Sequence, residues 1–478
     1  MRPRIETARD SLPMLLRRNP GVRATRLASL AKVSPATMVR MLKEVGASII
    51  RIGNTSSTRY FQRRPLRGML DALAVYAIDT LGHASQVGEL QLTEPDGTLL
   101  DVAAMGWVVD KEFANGVWGH GLPYPLQDMR PQGFLGRQFA LAQAGRLGIS
   151  TNPKEWNDDE VLVVLTQFGI DTTGNLILGD MALQRWLQTK TATPALLNDK
   201  TIEAAYAELA SQSSARGAVG SSAAGEFPKF TAVRELAGAQ TEHVIVKYTA
   251  ADQSDTVQRW SDLLVCEHLA LQSLRMVGNI ACAHSRILQS QGRTYIEVER
   301  FDRHGLYGRS PLCTLETIEA SLLPTSSRDW GDAAIMMHKQ GWLTPEAVHQ
   351  VQVIWAFGRL IGNSDMHRGN LSFVPTLPVQ VAPVYDMLPM MFAPLQGGEI
   401  PAVRFAPELP MPAHRQAWAQ ASEAAQAFWQ AASQDSRISM RFRAVCGENL
   451  ETLNRLMDLQ GPMERANTSG RMGHGVLS

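Results

Sequence analysis

The chain has 478 residues, 45% of them hydrophobic, and its 46 basic and 46 acidic residues give a formal net charge of zero. This composition is typical of a globular protein with two or three domains, and it excludes collagen-like and mainly disordered proteins. Uncharged apolar runs stay shorter than the roughly 18 to 20 residues of a membrane span, and the N terminus lacks the apolar segment of a signal peptide. We therefore expect a cytoplasmic protein without a membrane partner, whose four cysteines are reduced and mostly buried.

Charge is distributed unevenly along the chain. Residues 1–67 carry 15 basic and 3 acidic side chains, a net charge of +12, which leaves −12 for the remainder. A basic segment on an acidic body is typical of a nucleic-acid-binding domain attached to a larger protein.

The basic segment also has the spacing of a helix-turn-helix. We predict a first helix from Pro13, a second from Ala24 and a third from Pro35 to about Val45. Ser34 can cap the third helix, because its side chain can accept a hydrogen bond from the first turn, and proline is favoured at the position after the cap.

The third helix offers a face for DNA. Thr37, Arg40 and Lys43 can contact a major groove and its phosphates. Residues 49–52 and 58–61 predict a two-stranded wing. The apolar residues expected to anchor the helix are Met38, Val39, Met41, Leu42 and Val45. The sequence thus predicts a winged helix-turn-helix that binds double-stranded DNA, through which the protein could associate with the nucleoid. A basic helical interaction domain is the alternative.

The middle of the chain shows no recognisable chemistry. The sequence predicts a helix over 70–81, a hairpin around 94–97, a capped helix that includes 161–168 and a strand at 175–178. The stretch 187–217 is rich in Thr, Ala and Ser and is typical of a linker.

A loop near residue 365 is the most informative part of the chain. Asp365 and Asn370 have the Asp-x-x-x-x-Asn spacing of protein kinases, in which the aspartate accepts the substrate hydroxyl proton and the asparagine binds magnesium. Two apolar runs that follow predict a hairpin, which would bring Asp386 beside the loop as a second magnesium ligand. A polar surface turn is the alternative explanation of the spacing.

Other kinase-like pieces precede this loop. A small-residue loop from residue 221 leads into a strand, where backbone amides and Lys229 could bind phosphate, although a plain hairpin turn would look the same. Lys247 lies near the end of a strand and can also meet nucleotide phosphates, unless it is simply exposed. The next helix carries Asp262 and Glu267, either of which could pair with Lys247.

The strand at 293–303 is the predicted connector that binds the nucleoside. Glu299 and Phe301 are candidate adenine contacts, through carbonyl and amide, and Asp302 is a candidate ribose contact through its carboxylate. An edge strand with alternating charge is the alternative.

Together these pieces resemble the HipA family of bacterial serine/threonine kinases over roughly residues 85–460. A helix-turn-helix antitoxin is generally a separate chain in that family; here a basic head is fused, which is similar to the single-chain YjjJ type. The motifs that carry the resemblance are Ser222-Ala-Ala-Gly-Glu-Phe-Pro-Lys229, Val246-Lys247, Val298-Glu-Arg-Phe-Asp-Arg303, Gly362-Asn-Ser-Asp-x-His-x-x-Asn370 and Tyr385-Asp386.

The resemblance implies an α+β, bilobal protein-kinase/PI-kinase-like (HipA-like) fold that uses ATP and Mg²⁺. Asp365 would be the general base and His367 would support the loop. Asn370 and Asp386 would bind Mg²⁺, and Lys247 the ATP phosphates.

The family also autophosphorylates a serine of the small-residue loop. By position this serine is Ser222, with Ser221 as the alternative, and a phosphate there would repel the nucleotide triphosphate. Two departures accompany the match. Gly369 stands where the family often has a basic residue, with Arg368 as the nearest substitute, and Leu263 falls near the expected helix glutamate.

We therefore predict a toxin-like serine/threonine protein kinase that phosphorylates a protein substrate, carries a DNA-binding head and is compatible with a homodimer. One alternative is a DNA-binding transcriptional regulator with a nucleotide-sensing, catalytically weak kinase-like body; another is a small-molecule phosphotransferase. The predicted segments are a winged helix-turn-helix (1–67), a β-rich subdomain (68–150), a small lobe (151–300), a large lobe (301–465) and a tail (466–478).

Overall fold

The computed structural model describes residues 2–54, 57–192, 195–215 and 227–469, which form a mixed α/β protein. The helices of these ranges are α1 (Arg2–Arg18), α2 (Ala24–Leu30), α3 (Pro35–Val45), α4 (Tyr124–Gln127), α5 (Gly133–Leu147), α6 (Asp158–Phe168), α7 (Asp180–Thr189), α8 (Ile202–Ala215), α9 (Asp255–Arg275), α10 (Leu315–Leu322), α11 (Trp330–Lys339), α12 (Pro345–Leu360), α13 (Arg415–Gln434) and α14 (Met440–Ser469). The strands are β1 (Ile49–Ile52), β2 (Arg59–Gln62), β3 (Leu73–Ile78), β4 (Ala84–Thr93), β5 (Gly97–Leu99), β6 (Val117–Trp118), β7 (Leu176–Leu178), β8 (Lys229–Val233), β9 (His243–Tyr248), β10 (Ser285–Ser290), β11 (Arg293–Glu299), β12 (Arg303–His304), β13 (Gly308–Arg309), β14 (Cys313–Thr314), β15 (Ser372–Val374) and β16 (Gln380–Val381).

The chain divides into two compact units. The first comprises residues 1–79, 83–130 and 154–192, and the second comprises 80–82, 131–153 and 193–478. Residues 154–192, which follow the predicted boundary at residue 150, belong to the first unit. The predicted segments stay a prediction.

The basic N-terminal segment forms α1, α2 and α3, followed by the antiparallel pair β1–β2. The predicted cap of α3 is confirmed, since Ser34 Oγ accepts a hydrogen bond from Thr37 N at 3.1 Å and Pro35 is the first helical residue. Gly46 follows the helix with φ +63°, a conformation that glycine adopts readily. The elements keep the predicted order, and their identity as a winged helix-turn-helix stays a prediction.

The core of these three helices is apolar. Val39, which we expected in the core, is 37% exposed, because it lies on the helix face next to the buried stripe. The buried residues are Ala8, Leu12, Leu16, Leu27, Ala28, Met38, Met41 and Leu42.

The first unit also contains an antiparallel five-stranded sheet in the order β6-β5-β4-β3-β7. The hairpin predicted around 94–97 is confirmed by the pairing of β4 with β5. The helix predicted over 70–81 is wrong, because this stretch contains β3, whose Val75 and Ile78 are buried while it pairs with strands on both sides. The predicted strand near 175–178 is β7, which joins this sheet.

Helix α6 is the predicted capped helix, and its cap is Asn157, the residue before the acidic pair Asp158-Asp159 that suggested it. Asn157 Oδ1 accepts a hydrogen bond from Glu160 N at 3.0 Å, and the Glu160 carboxylate accepts one from Asn157 N at 2.8 Å. This reciprocal arrangement satisfies two amides at the start of the helix.

The second unit is built on an antiparallel sheet in the order β10-β11-β9-β8, against which α9 packs. Helix α8 also belongs to its core, because Ile202, Tyr206 and Ala210 are buried with residues of β8 and β9. The linker predicted over 187–217 is therefore wrong for the helical part. Tyr206 Oη donates to Glu297 Oε1 at 2.5 Å, which satisfies the polar end of a fully buried ring.

Helices and a small sheet complete the second unit. Helix α13 packs against α9, α12 and α14. Strand β15 pairs with β14 and, in antiparallel register, with β16, which confirms the predicted hairpin. All four cysteines are buried thiols, as expected. Among the helices of the described ranges, none combines the length and the apolar composition that a membrane crossing requires.

Candidate functional site

Lys247 of β9 is the centre of a buried ion-pair cluster. Its Nζ donates to both carboxylate oxygens of Glu267 at 2.8 Å and to Oδ1 of Asp386 at 2.5 Å. Lys247 is 7% exposed and Glu267, on α9, is fully buried. The helix acid that the sequence left open is thus Glu267, whereas Asp262 accepts hydrogen bonds from Ser439.

The pKa values of the cluster follow from burial and mutual charge. Burial favours neutral Lys247, but the carboxylates of Asp386 and Glu267 outweigh it and raise the pKa of the ammonium group. Burial raises the pKa of Glu267, and Lys247 partly opposes this shift. For Asp386 the neighbouring lysines outweigh burial, so the pKa of this carboxyl is lowered. A charged lysine paired with carboxylates is therefore the form this site favours.

Lys229 lies directly opposite Lys247 in the antiparallel pairing of β8 with β9. Like charges at opposite positions of a strand pair are destabilising unless they are compensated. Here Lys229 acts on both carboxylates, because its charge lowers the pKa of Asp386 and of Glu267. Two lysines and two carboxylates thus form a cluster in which charge is balanced.

The backbone of Asp365 is held from two sides. Its amide donates to Asn363 Oδ1 at 3.0 Å, and its carbonyl accepts from Asn370 Nδ2 at 2.9 Å. Asn363 and Asn370 are buried, while the Asp365 side chain is exposed. Gly362 begins this loop with φ +73°, and a Cβ there would lie 2.6 Å from Met391 Sδ, so glycine is required.

His367 supports the loop, as the resemblance implied. Its Nδ1 accepts a hydrogen bond from Gly369 N at 3.1 Å and so caps the short turn that ends at Asn370. A Cβ on Gly369 would lie 2.9 Å from His367 Cε1, so a side chain there would crowd the imidazole in this position.

Arg368 does not replace the basic residue that the family often has at the next position. Its guanidinium pairs with Glu319 of α10 and donates to the carbonyl of Ser327. Arg368 therefore anchors the loop to the structure before it.

Tyr385 fixes the loop from the other side, a role that the sequence did not reveal. Its hydroxyl donates to Gly369 O at 2.6 Å and lies 2.8 Å from Ser372 Oγ. The ring centroid of Tyr385 is 5.7 Å from that of Phe301. Asp386 follows with φ +55°, a left-handed conformation that aspartate tolerates better than most residues.

The predicted nucleoside contacts have different surroundings. Glu299 N donates to His284 O at 2.8 Å, and the Glu299 carboxylate pairs with Arg286, so its predicted contact through the carbonyl is compatible with this arrangement. Phe301 lies against Tyr385. These two assignments stay predictions.

Asp302 is held by arginines. It is 6% exposed, and its carboxylate accepts from Arg303 Nη1 at 2.6 Å and from Arg300 Nη2 at 3.1 Å. The predicted ribose contact would have to compete with both bonds, so the geometry disfavours an assignment that stays a prediction.

Phe227, like Tyr385, has a role that the sequence analysis did not predict. Its ring centroid lies 5.9 Å from Lys247 Nζ and 4.7 Å from the ring of Trp260 on α9. It is 7% exposed. A ring in this position shields the lysine from water, and its place between the small-residue loop and Lys229 is the only sequence signal for it. Ser222 and Ser221 lie outside the described residues.

The donor set fits a magnesium ion. Asn370 Nδ2 is bound to Asp365 O, which leaves the amide oxygen as the atom for a metal, and the side chain of Asp386 is 30% exposed. Magnesium prefers oxygen ligands and is commonly held by one or two protein groups together with substrate phosphates. Asn370 and Asp386 would thus suffice when a nucleotide supplies the remaining oxygens.

Comparison with known proteins places the chain in a family. The family described as "YjjJ-like toxin, middle domain" matches residues 69–187, and the one described as "HipA-like C-terminal domain" matches residues 221–452. Toxin YjjJ of Escherichia coli (strain K12) is 36% identical over 434 residues, covering 91% of this chain and 95% of the relative.

Two solved structures are more distant. The Shewanella oneidensis MR-1 toxin-antitoxin system of HipA, HipB and operator DNA gives 16% identity and a TM-score of 0.48, over 80% of this chain and 95% of that one. The Helicobacter pylori proinflammatory kinase CtkA gives 16% identity and a TM-score of 0.27, over 35% of this chain and 55% of the CtkA chain. The assignment rests on the sequence relatives, and the chain is a member of the HipA-like toxin family, of the YjjJ type.

Proposed function

We propose that the protein is a Mg-ATP-dependent serine/threonine protein kinase with a fused DNA-binding head. The observation that carries the kinase part is the contact of Lys247 with both Glu267 and Asp386, because kinases require a strand lysine, a helix glutamate and a metal-binding aspartate together. The second unit then corresponds to a bilobal kinase-like body, with the sheet of β8–β11 and α9 as the small lobe.

Each residue has a defined task in this proposal. The oxygen of the acceptor hydroxyl bonds to the γ-phosphorus of ATP, and Asp365 accepts the proton of that hydroxyl. The bond between the γ-phosphorus and the bridging oxygen breaks, and ADP leaves with that oxygen. Lys247 and Lys229 bind phosphate oxygens. Asn370 and Asp386 would hold Mg²⁺, which when bound neutralises charge on the phosphates. The acceptor is a protein hydroxyl, with Ser222 as the autophosphorylation site.

Phosphate transfer from labelled ATP tests this function. We expect the full-length protein to label itself or an added protein in the presence of Mg²⁺. It should lose this activity when the metal is chelated, because the negative charges of the phosphates and of Asp386 then lack the cation that neutralises them. Restoring Mg²⁺ is the control. If intact, folded protein labels no protein acceptor, the kinase proposal is wrong; operator binding without turnover would instead favour the regulator with a nucleotide-sensing body.

The DNA-binding part of the proposal rests on the N-terminal helices. Arg40 and Lys43 are exposed on α3, opposite its buried stripe. Thr37 lies in the first turn of α3, where its side chain contacts Ser34 Oγ at 2.8 Å. A capped helix with exposed basic residues along one face is suited to a major groove, with β1 and β2 as the wing.

Arg40→Ala should weaken binding to double-stranded DNA and lessen its dependence on salt. If Arg40 contacts one phosphate, the slope of log affinity against log salt concentration should fall in magnitude by about 0.9. Titration of DNA by fluorescence anisotropy at several salt concentrations measures both quantities. An unchanged affinity at low salt would rule out this placement of α3.

Glu44→Gln is the matched control. Glu44 Oε1 lies 3.8 Å from Arg40 Nε, and Glu44 Oε2 lies 3.6 Å from Arg9 Nη2. The Glu44 carboxylate should therefore repel a phosphate that approaches Arg40. Removing this charge should tighten DNA binding, which is the opposite of the effect expected for Arg40→Ala.

A further inference from the structure

Helix α9, which carries Glu267, is tied along one side to later parts of the chain. Thr256 and Arg259 lie three residues apart and thus on the same side of the helix. Thr256 Oγ1 donates to Gly398 O at 2.6 Å, and Arg259 Nη1 donates to Phe392 O at 3.0 Å. Both carbonyls belong to the segment that follows Asp386, so α9 holds this segment directly.

Asp262 lies three residues further along the same side of α9, and it attaches the helix through both of its carboxylate oxygens. The side chain is 1% exposed, and its two oxygens accept from Ser439 N at 2.7 Å and from Ser439 Oγ at 2.6 Å. Gln258 Nε2 donates to the same carboxylate at 3.1 Å. Since Ser439 immediately precedes α14, Asp262 holds the start of that helix. Burial raises the pKa of Asp262 while these hydrogen bonds oppose the shift.

Glu267 lies on a different side of the same helix. The step of five positions from Asp262 to Glu267 corresponds to about 140° of rotation around an α-helix and to about 7.5 Å along it. The helix spans both attachments without interruption. Fixing Asp262 on Ser439 therefore fixes the rotation of α9, and with it the direction in which the Glu267 carboxylate meets Lys247.

We propose that Asp262 is a positioning residue, which acts through Glu267 by locking α9 to the start of α14. The Lys247–Glu267 ion pair is then built into the fold and is not formed by a movement of the helix. The expected effect of Asp262 on turnover rests on the proposed kinase function. Its expected effect on the protection of Lys247 rests on the structure alone.

Kinetics of the full-length protein test the effect on turnover. Asp262→Ala should lower kcat by about tenfold to 10²-fold, with less effect on the ATP KM, because a misplaced ion pair disturbs geometry more than binding. Asp262→Asn, which keeps one acceptor for Ser439, should recover part of this loss. Gln272→Ala, on an exposed residue of the same helix whose amide contacts His268 of α9 itself, is the control and should leave kcat unchanged.

A double variant separates positioning from general damage. If Asp262 acts through Glu267, Asp262→Ala should add little to the loss caused by Glu267→Gln. Losses that multiply, or an unchanged kcat in folded Asp262→Ala, would overturn the inference.

Labelling of Lys247 by an amine-reactive reagent, read by peptide mass spectrometry, needs no turnover. Lys247 should be protected in wild type and in Gln272→Ala, and it should be labelled severalfold faster in Asp262→Ala. If the wild type transfers no phosphate but this increase occurs, the kinase proposal fails and the inference stands. If labelling is unchanged, the inference fails whatever the wild type transfers.

Discussion

Asp365→Asn should reduce phosphate transfer by about 10²-fold to 10⁴-fold, the usual contribution of a positioned acid or base. Asparagine has nearly the same size but cannot accept the proton of the acceptor hydroxyl. The backbone contacts of Asp365 with Asn363 and Asn370 do not involve its carboxylate, so the loop should keep its conformation. Initial rates with labelled Mg-ATP measure the loss, and phosphopeptide mapping of the wild type should place the label on Ser222.

Asp71→Asn is the matched control for this variant. Asp71 is an exposed aspartate of the first unit, and its change to asparagine should leave the rate unaltered. ATP affinity should also be similar in wild type and Asp365→Asn, because the carboxylate acts on the acceptor. Equal labelling of wild type and Asp365→Asn would remove Asp365 from the role of base.

Lys247→Met should damage both activity and stability. Removal of one partner from a buried ion pair typically costs about 3–5 kcal/mol, because the remaining charge is left buried and uncompensated. Here Glu267 is fully buried and loses both contacts to the ammonium group. Denaturant titration of the variant and of Lys200→Met, an exposed lysine of the same unit, measures the difference in the free energy of unfolding.

The same variant has a predictable pH dependence. Burial already raises the pKa of Glu267, and loss of Lys247 removes the main opposing charge, so the pKa rises further. A carboxyl whose pKa is higher in the folded state than in the unfolded chain destabilises the folded state at high pH, and this penalty disappears below the unfolded value. The stability deficit relative to wild type should therefore shrink as the pH falls towards the unfolded pKa of about 4.3. A constant deficit would contradict the assignment to Glu267.

A second change in Lys247→Met separates stability from catalysis. Adding Glu267→Leu removes the uncompensated carboxylate, and apolar replacements of buried ion pairs are often well tolerated. The double variant should regain much of the lost stability and remain without phosphate transfer.

The candidate site could be predicted where its residues are close in sequence. Asp365 and Asn370 lie in one loop, and the hairpin that leads to Asp386 has a clear apolar pattern, so spacing alone indicated both. The partner of Lys247 could not be chosen this way. Asp262 and Glu267 are both buried on α9, and only the folded structure, in which α9 packs on β9 and β11 while Asp262 binds Ser439, decides which of them faces the lysine.

The errors in the fold have related physical causes. Residues 70–81 form no helix because β3 lies between two partner strands, and such tertiary pairing outweighs local helix propensity. The supposed linker contains α8, whose Tyr206 finds its hydroxyl partner in Glu297, a residue distant in sequence. Composition describes neither contact. The role of Tyr385 could not be predicted for the same reason, because its hydrogen bond to Gly369 exists only in the folded chain.

The close approach of His367 to Gly369 also constrains how this loop can evolve. A Cβ at position 369 would meet the imidazole at 2.9 Å, so any larger residue there needs a different placement of the ring. The family often combines the loop histidine with a basic residue at this position, so its members must place the imidazole differently from this chain. Here a single substitution at 369 would disturb the cap before it altered any charge.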